Sequence, residues 1–127
     1  GISKFAEPHQ KVLGFKAVKD DSLDEKIFEL IGRKNFELID ASENGYGKFS
    51  DKTVQFINDF NEQFKIPLDP IYTGKMMRKL FELIDKNHFP ENSKILAFHT
   101  GGFQGIEGAN EKLKKQGGEV IKFSKKL

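Results

Sequence analysis

The chain contains no cysteine and no tryptophan. Without thiols it can build no disulfide, no thiolate metal site and no cysteine nucleophile, a composition compatible with the reducing cytoplasm. Long apolar runs are missing as well: none approaches the roughly 20 residues needed to cross a bilayer, and no charged-then-apolar leader opens the sequence. Neither sign of charge is in excess, since 21 basic and 19 acidic side chains leave a formal net charge of +2. Neither a membrane nor nucleic acid is therefore expected as a partner. Tyrosine occurs twice and phenylalanine 13 times; most of the phenylalanines fall at core-type spacings and are assigned to packing. An initiator methionine is also missing, and Gly1-Ile2-Ser3-Lys4-Phe5 reads as the interior of a longer sequence. What is present is 127 residues with 37% hydrophobic and 31% charged side chains, enough for one folded domain with a core.

The periodicities alternate between strand and helix. Residues 11–18 read as a strand, followed by Ser22-Leu23-Asp24-Glu25, which has the form of a capping box opening a helix to about Gly32. Leu23, Ile27, Phe28, Leu30 and Ile31 recur at the spacing of one buried face. Residues 36–39 form a short strand, Ser50 caps a helix carried to Phe64 and stopped by Pro67, and residues 68–74 are a turn. Met76, Met77, Leu80, Phe81, Leu83 and Ile84 give the next helix a wide apolar face ending near Asn87. Residues 94–98 read as a strand of the kind buried in a parallel sheet, 107–116 as a polar helix, and 119–123 as a last strand. The fold class is α/β, with a mainly parallel open sheet and flanking helices, and residues 1–127 form one unit.

Two segments carry the chemistry. Leu68-Asp69-Pro70-Ile71-Tyr72-Thr73-Gly74-Lys75 and His99-Thr100-Gly101-Gly102 each set polar groups beside a glycine turn at the edge of an element, where α/β proteins hold ligands. Together they resemble the pyridoxal-phosphate enzymes grouped as D-cysteine desulfhydrase and 1-aminocyclopropane-1-carboxylate deaminase, in which a Leu-Asp-Pro-x-Tyr-[Thr/Glu]-Gly-Lys run precedes a His-[Thr/Leu]-Gly-Gly run. Members of that family are more than twice this length. The resemblance therefore implies the C-terminal section of an enzyme with the tryptophan-synthase-β-like fold, lacking the Schiff-base lysine and the phosphate loop, which would come from a missing N-terminal part. It also implies pyridoxal 5'-phosphate as cofactor, a small amino acid as substrate, and a homodimer.

The resemblance assigns roles residue by residue. Thr100 matches the threonine that contacts the pyridine nitrogen, with Thr73 and Gly101 grouped beside it as cofactor-binding residues. Tyr72 matches a tyrosine of the substrate pocket implicated in proton transfer, and Tyr46, between Gly45 and Gly47, one held near the ring face. Read from the residues alone, Thr100 could equally cap its own turn, Tyr72 could pack under Met76 and Met77, and Tyr46 could cover its own loop. The helix after Tyr72 could also receive an anion, such as a substrate carboxylate, on its first amides. A neutral hydroxyl at the pyridine nitrogen makes the ring a weaker electron sink, which favours β-elimination and deamination of D-cysteine or a related amino acid. Thr73 stands where ring-opening deaminases carry glutamate, in the same direction. The alternatives are 1-aminocyclopropane-1-carboxylate deaminase and a non-catalytic α/β binding module. Lys75, in a first helical turn, is expected to be solvated and not to form a Schiff base, and His99 has no second ligand at metal spacing. The hydroxyls of Tyr72 and Thr100 are expected to share one cavity.

Overall fold

The computed structural model describes residues 2–32, 35–43 and 47–123. The element order is α1 (Ile2–Phe5), β1 (Val12–Lys16), α2 (Leu23–Ile31), β2 (Phe36–Asp40), α3 (Asp51–Phe64), α4 (Thr73–Asp85) and α5 (Gln104–Lys115). β1 and β2 pair in parallel, Val12 opposite Phe36 through Lys16 opposite Asp40, with α2 as the crossover that a parallel pair requires. Gly14 is where the strands' side chains crowd: a Cβ there would lie 2.6 Å from Leu38 Cδ2.

The core sits in the helical half. Val54, Ile57 and Phe60 of α3, Leu68, Ile106, Ala109 and Leu113 of α5, and Ile121 form one buried cluster. Phe56, Phe60 and Phe64, one helical turn apart, surround Phe81 of α4 with ring centroids 5.4, 5.7 and 6.4 Å away, each pair near edge-to-face. The assignment of these phenylalanines to packing holds.

Ser50 caps α3 as the sequence predicts, accepting from Thr53 N. The capping box at Ser22 does not form. Ser22 lies in the right-handed helical region and makes no side-chain cap; its amide and hydroxyl instead donate to Asp20 Oδ1, at 2.9 and 2.5 Å. Asp20 therefore closes the turn, two residues earlier than the Ser-x-x-Glu pattern indicates. Nor is the apolar face of α2 covered: no α2 residue is buried, and Leu30 is 83% exposed.

Two expected strands have no ladder among the described residues. Residues 94–98 run exposed, with Leu96 80% accessible, and the sheet of the described residues is β1 and β2 alone. Residues 119–123 form no strand, and asparagines satisfy part of their backbone. Asn58 of α3 donates to Val120 O (2.9 Å) and accepts from Lys122 N (2.8 Å). Asn110 of α5 donates to Ile121 O (2.9 Å) and accepts from Ile121 N (2.7 Å). Amide side chains on two helices thus replace a partner strand, answering the demand that buried backbone groups be paired.

Candidate functional site

The site begins with Asp69. Pro70 keeps the residue before it out of the helical region, and the buried Asp69 carboxylate turns back onto the start of α4. Oδ2 accepts from Ile71 N and Tyr72 N, both at 2.8 Å, and Oδ1 from Thr73 N at 2.9 Å and Thr73 Oγ1 at 2.6 Å. Asp69 N donates to Thr73 Oγ1 at 3.0 Å, and Gly74 N donates to Asp69 O at 2.7 Å. The carboxylate supplies the negative charge that a helix N-terminus favours. This corrects one expectation: the first amides of α4 are taken by Asp69 and are not offered to a substrate anion. Thr73 is 2% exposed, with its hydroxyl engaged on Asp69 both as donor and as acceptor.

The second turn is fastened to the first. Gly101 N donates to His99 Nδ1 at 3.0 Å, so the ring proton resides on Nε2, which donates to Pro67 O at 2.8 Å. His99 thereby clamps its own loop to the residue just before Leu68. Gly101 and Gly102 adopt φ of 87° and 90°, a region that favours glycine. A Cβ on Gly102 would lie 3.1 Å from Asp69 Oδ1, whereas one on Gly101 would meet nothing within 4 Å. Gly102 is thus fitted against the first turn while Gly101 faces open space. At the start of α5, a Cβ on Gly105 would touch Ile71 Cδ1 at 3.4 Å.

The turns bearing Tyr72 and Thr100 are therefore joined through Asp69 and His99. Tyr72 is 47% exposed and Thr100 is exposed, so their surface is open, not enclosed. The hollows found lie elsewhere: one of about 180 Å³ is lined by Asp40, Ala41, Glu43, Lys75, Arg78, Lys79 and Glu82, and another of about 230 Å³ by Lys48, Phe49, Lys112 and Gln116. The cavity expected between Tyr72 and Thr100 is neither of these. Tyr46 lies outside the described residues. Among the described residues no group of three or more His, Cys, Asp or Glu side chains could hold a metal ion, and no helix is long and apolar enough to cross a membrane.

Lys75 corrects another expectation, for it is 2% exposed, not solvated. Its Nζ is 3.4 Å from Ser42 O at the end of β2. Burial pushes the Lys75 ammonium below its ordinary value, and the charges of Glu43 and Asp69 oppose the shift. The signal for the Asp69 cap was present in the sequence as Asp-Pro-x-x-Thr, the spacing of an aspartate that turns back onto its own helix start. Periodicity gives no such signal for Lys75, because the first turn of α4 is covered by the preceding turn and is buried all round.

No family model matches the chain. Individual proteins do. A Pyrococcus horikoshii protein that bears the name 1-aminocyclopropane-1-carboxylate deaminase provisionally is 39% identical over 98 residues, which is 75% of this chain and 30% of the relative. The 1-aminocyclopropane-1-carboxylate deaminase of Bradyrhizobium sp. (strain ORS 278) is 32% identical over 113 residues, 85% of this chain and 32% of the relative. A crystal structure described as an ACC deaminase homologue superposes with a TM-score of 0.66 at 33% identity, covering 81% of this chain and 34% of the other. The chain spans about a third of the length of the relatives it matches. Over that third, this chain is similar in sequence and in α/β fold to proteins that bear the name 1-aminocyclopropane-1-carboxylate deaminase and to a structure described as a homologue of them.

Proposed function

We propose that the protein to which these residues belong is a pyridoxal-phosphate-dependent deaminase of a small amino acid, with 1-aminocyclopropane-1-carboxylate as the favoured substrate. The observation that carries the reading is the fastening of the Tyr72 and Thr100 turns through Asp69 and His99. It joins the two turns that carry the phenol and the hydroxyl, in a chain whose relatives bear the deaminase name. The residues present fit one edge of the cofactor. Thr100 offers a hydroxyl donor, and the open space beside Gly101 lets a flat ring approach the bare backbone. When bound, pyridoxal phosphate supplies the electron sink for the reaction.

In this reading Thr100 donates to the pyridine nitrogen and Tyr72 moves a proton at the substrate through its phenolic oxygen. Tyr46 keeps the role that the family resemblance assigns to it, near the ring face. Thr73, engaged on Asp69, acts by holding the backbone that aims Tyr72. D-cysteine is the second reading, favoured by Thr73 at the position where the ring-opening enzymes carry glutamate.

The test uses the full-length protein. We expect the visible absorbance band of bound pyridoxal phosphate and release of 2-oxobutyrate and ammonia from 1-aminocyclopropane-1-carboxylate. Pyruvate, sulfide and ammonia from D-cysteine at the higher kcat/KM would instead select the second reading. Tyr72→Phe should lower kcat about 100-fold while the band persists. A protein with no band, or one that turns over neither amino acid, sinks the proposal.

A further inference from the structure

A lysine in the first turn of a helix ordinarily lays its stem along the surface and keeps its ammonium in water. Lys75 does the opposite, and a buried charge persists only where partners offset its lost hydration. Among the described residues, groups that offset its charge lie on two separate segments. Ser42 O accepts at 3.4 Å, and the carboxylates of Glu43 and Asp69 are near enough to favour the charged form. One turn further along α4, Arg78 Nη1 reaches Glu43 Oε1 at 3.1 Å, Ser50 Oγ at 3.2 Å and Thr53 Oγ1 at 2.9 Å.

Glu43 itself is held in an uncommon backbone conformation, with φ of 50°, which a non-glycine residue keeps only when its surroundings enforce it. Its Oε2 accepts from Ser50 N at 2.8 Å, and Thr53 Oγ1 donates to its other oxygen. Asp40 braces the same stretch by accepting from Ser42 N at 2.8 Å and Ser42 Oγ at 2.6 Å. Two cations one helical turn apart thus fasten the connection after β2 onto α4. Of these two cations, Lys75 is the one three residues from Tyr72, and the charge of Asp69, whose carboxylate caps the turn of Tyr72 and packs against Gly102, favours its ammonium form.

We infer that Lys75 is a positioning residue for the reaction: its ammonium is the shared counter-charge that locks the connection after β2 to the joined turns of Tyr72 and Thr100. This rests on the functional reading given above. Without the ammonium, Ser42 O loses its donor, Glu43 and Asp69 lose their common cation, and the two turns are free to shift relative to β2. Displacements on the scale of an ångström far from the reacting atoms are enough to cost about 10- to 100-fold in rate.

The experiment compares full-length wild type, Lys75→Met and Lys75→Gln for kcat, KM, cofactor absorbance and melting temperature. Lys75→Met should fold and keep the cofactor band, with kcat down about 10- to 100-fold and KM changed by less than about threefold. Lys75→Gln, which retains an N–H donor for Ser42 O, should recover part of the loss. A folded Lys75→Met enzyme with wild-type kcat, or a change confined to KM or to melting temperature, overturns the inference. If Lys75→Met does not fold, Lys75→Gln carries the test: it removes the charge while keeping a donor and should lower kcat with KM held, and a folded Lys75→Gln enzyme with wild-type kcat overturns the inference too. A wild type without the cofactor band fails the functional reading, and this inference with it. A wild type with band and turnover but an indifferent Lys75→Met fails this inference alone.

Discussion

Replacing Asn58 by leucine separates two accounts of the α3 surface. Val54, Ile57, Asn58 and Asn61 occupy the i, i+3, i+4, i+7 stripe that a helix buries, and Asn58 is 6% exposed. If the stripe served packing alone, leucine would be the better residue, with higher helix propensity and a larger apolar surface. The hydrogen bonds argue the reverse. Asn58 pairs Val120 O and Lys122 N, and its Nδ2 also reaches Glu119 Oε1 at 3.1 Å. Leucine would leave two backbone groups of the 119–123 segment without partners. An unpaired buried group costs about 1–3 kcal/mol. Lys122 is exposed and water can reach part of this segment, so the lower end applies to each. The expected loss is about 2 kcal/mol, a large share of the roughly 5–15 kcal/mol that stabilises a typical domain. Urea unfolding measures the loss, and native-state amide exchange at Ile121 and Lys122 localises it. Asn110→Ala should act on the same segment, and the double variant should lose less than the sum of the two, because a segment released at one point has less left to lose at the other. An Asn58→Leu protein as stable as wild type, with unchanged exchange at Lys122, would refute this reasoning.

Two further outcomes follow from the geometry. Gly102→Ala should destabilise by about 2 kcal/mol or more, through its positive φ together with the contact on Asp69, while Gly101→Ala should cost only about 1 kcal/mol from backbone conformation; equal losses in thermal melts would contradict the packing of Gly102 on Asp69. Ser22, by hydroxyl and then amide, lowers Asp20 from 3.8 to about 2. A carboxylate depressed in the folded state adds stability above its unfolded value and loses it as pH falls through the folded one. The advantage of wild type over Asp20→Asn should therefore be full above about 3.8 and gone near about 2, read from urea midpoints across that range; an advantage independent of pH would exclude the Asp20 contribution.

The helices were legible because their signals are local. The stripe and the Ser50 cap specify α3, and the apolar run from Met76 specifies α4, each observed within a few residues of the expected bounds. β1 and β2 were legible for the same reason. The stretches at 94–98 and 119–123 were expected as strands and pair with none, since pairing depends on what lies alongside. Ser22 shows how a motif yields to a competitor, as Asp20 two residues upstream reaches the same turn first. Within the site, the composition of the two turns announced itself, but their junction did not. That His99 would bond Pro67, or that Lys75 would be buried between Ser42, Glu43 and Asp69, depends on contacts across about 30 residues of sequence that no window reveals. One trace was readable: Asn110 interrupts the otherwise apolar stripe of Ile106, Ala109 and Leu113 at its i+4 position, as Asn58 follows Val54 and Ile57, and a poor helix former there is a sign of a side chain with a specific partner.

The bare ribbon from Lys94 to Phe98 has a consequence for handling these 127 residues by themselves at high concentration. Ile95, Leu96 and Phe98 are about half or more accessible, and an unshielded β-prone edge is a template on which identical copies can stack. Where nothing covers it, this stretch would nucleate aggregates ahead of the helical half, and a single lysine in place of Leu96 would act as a gatekeeper that keeps the chains apart.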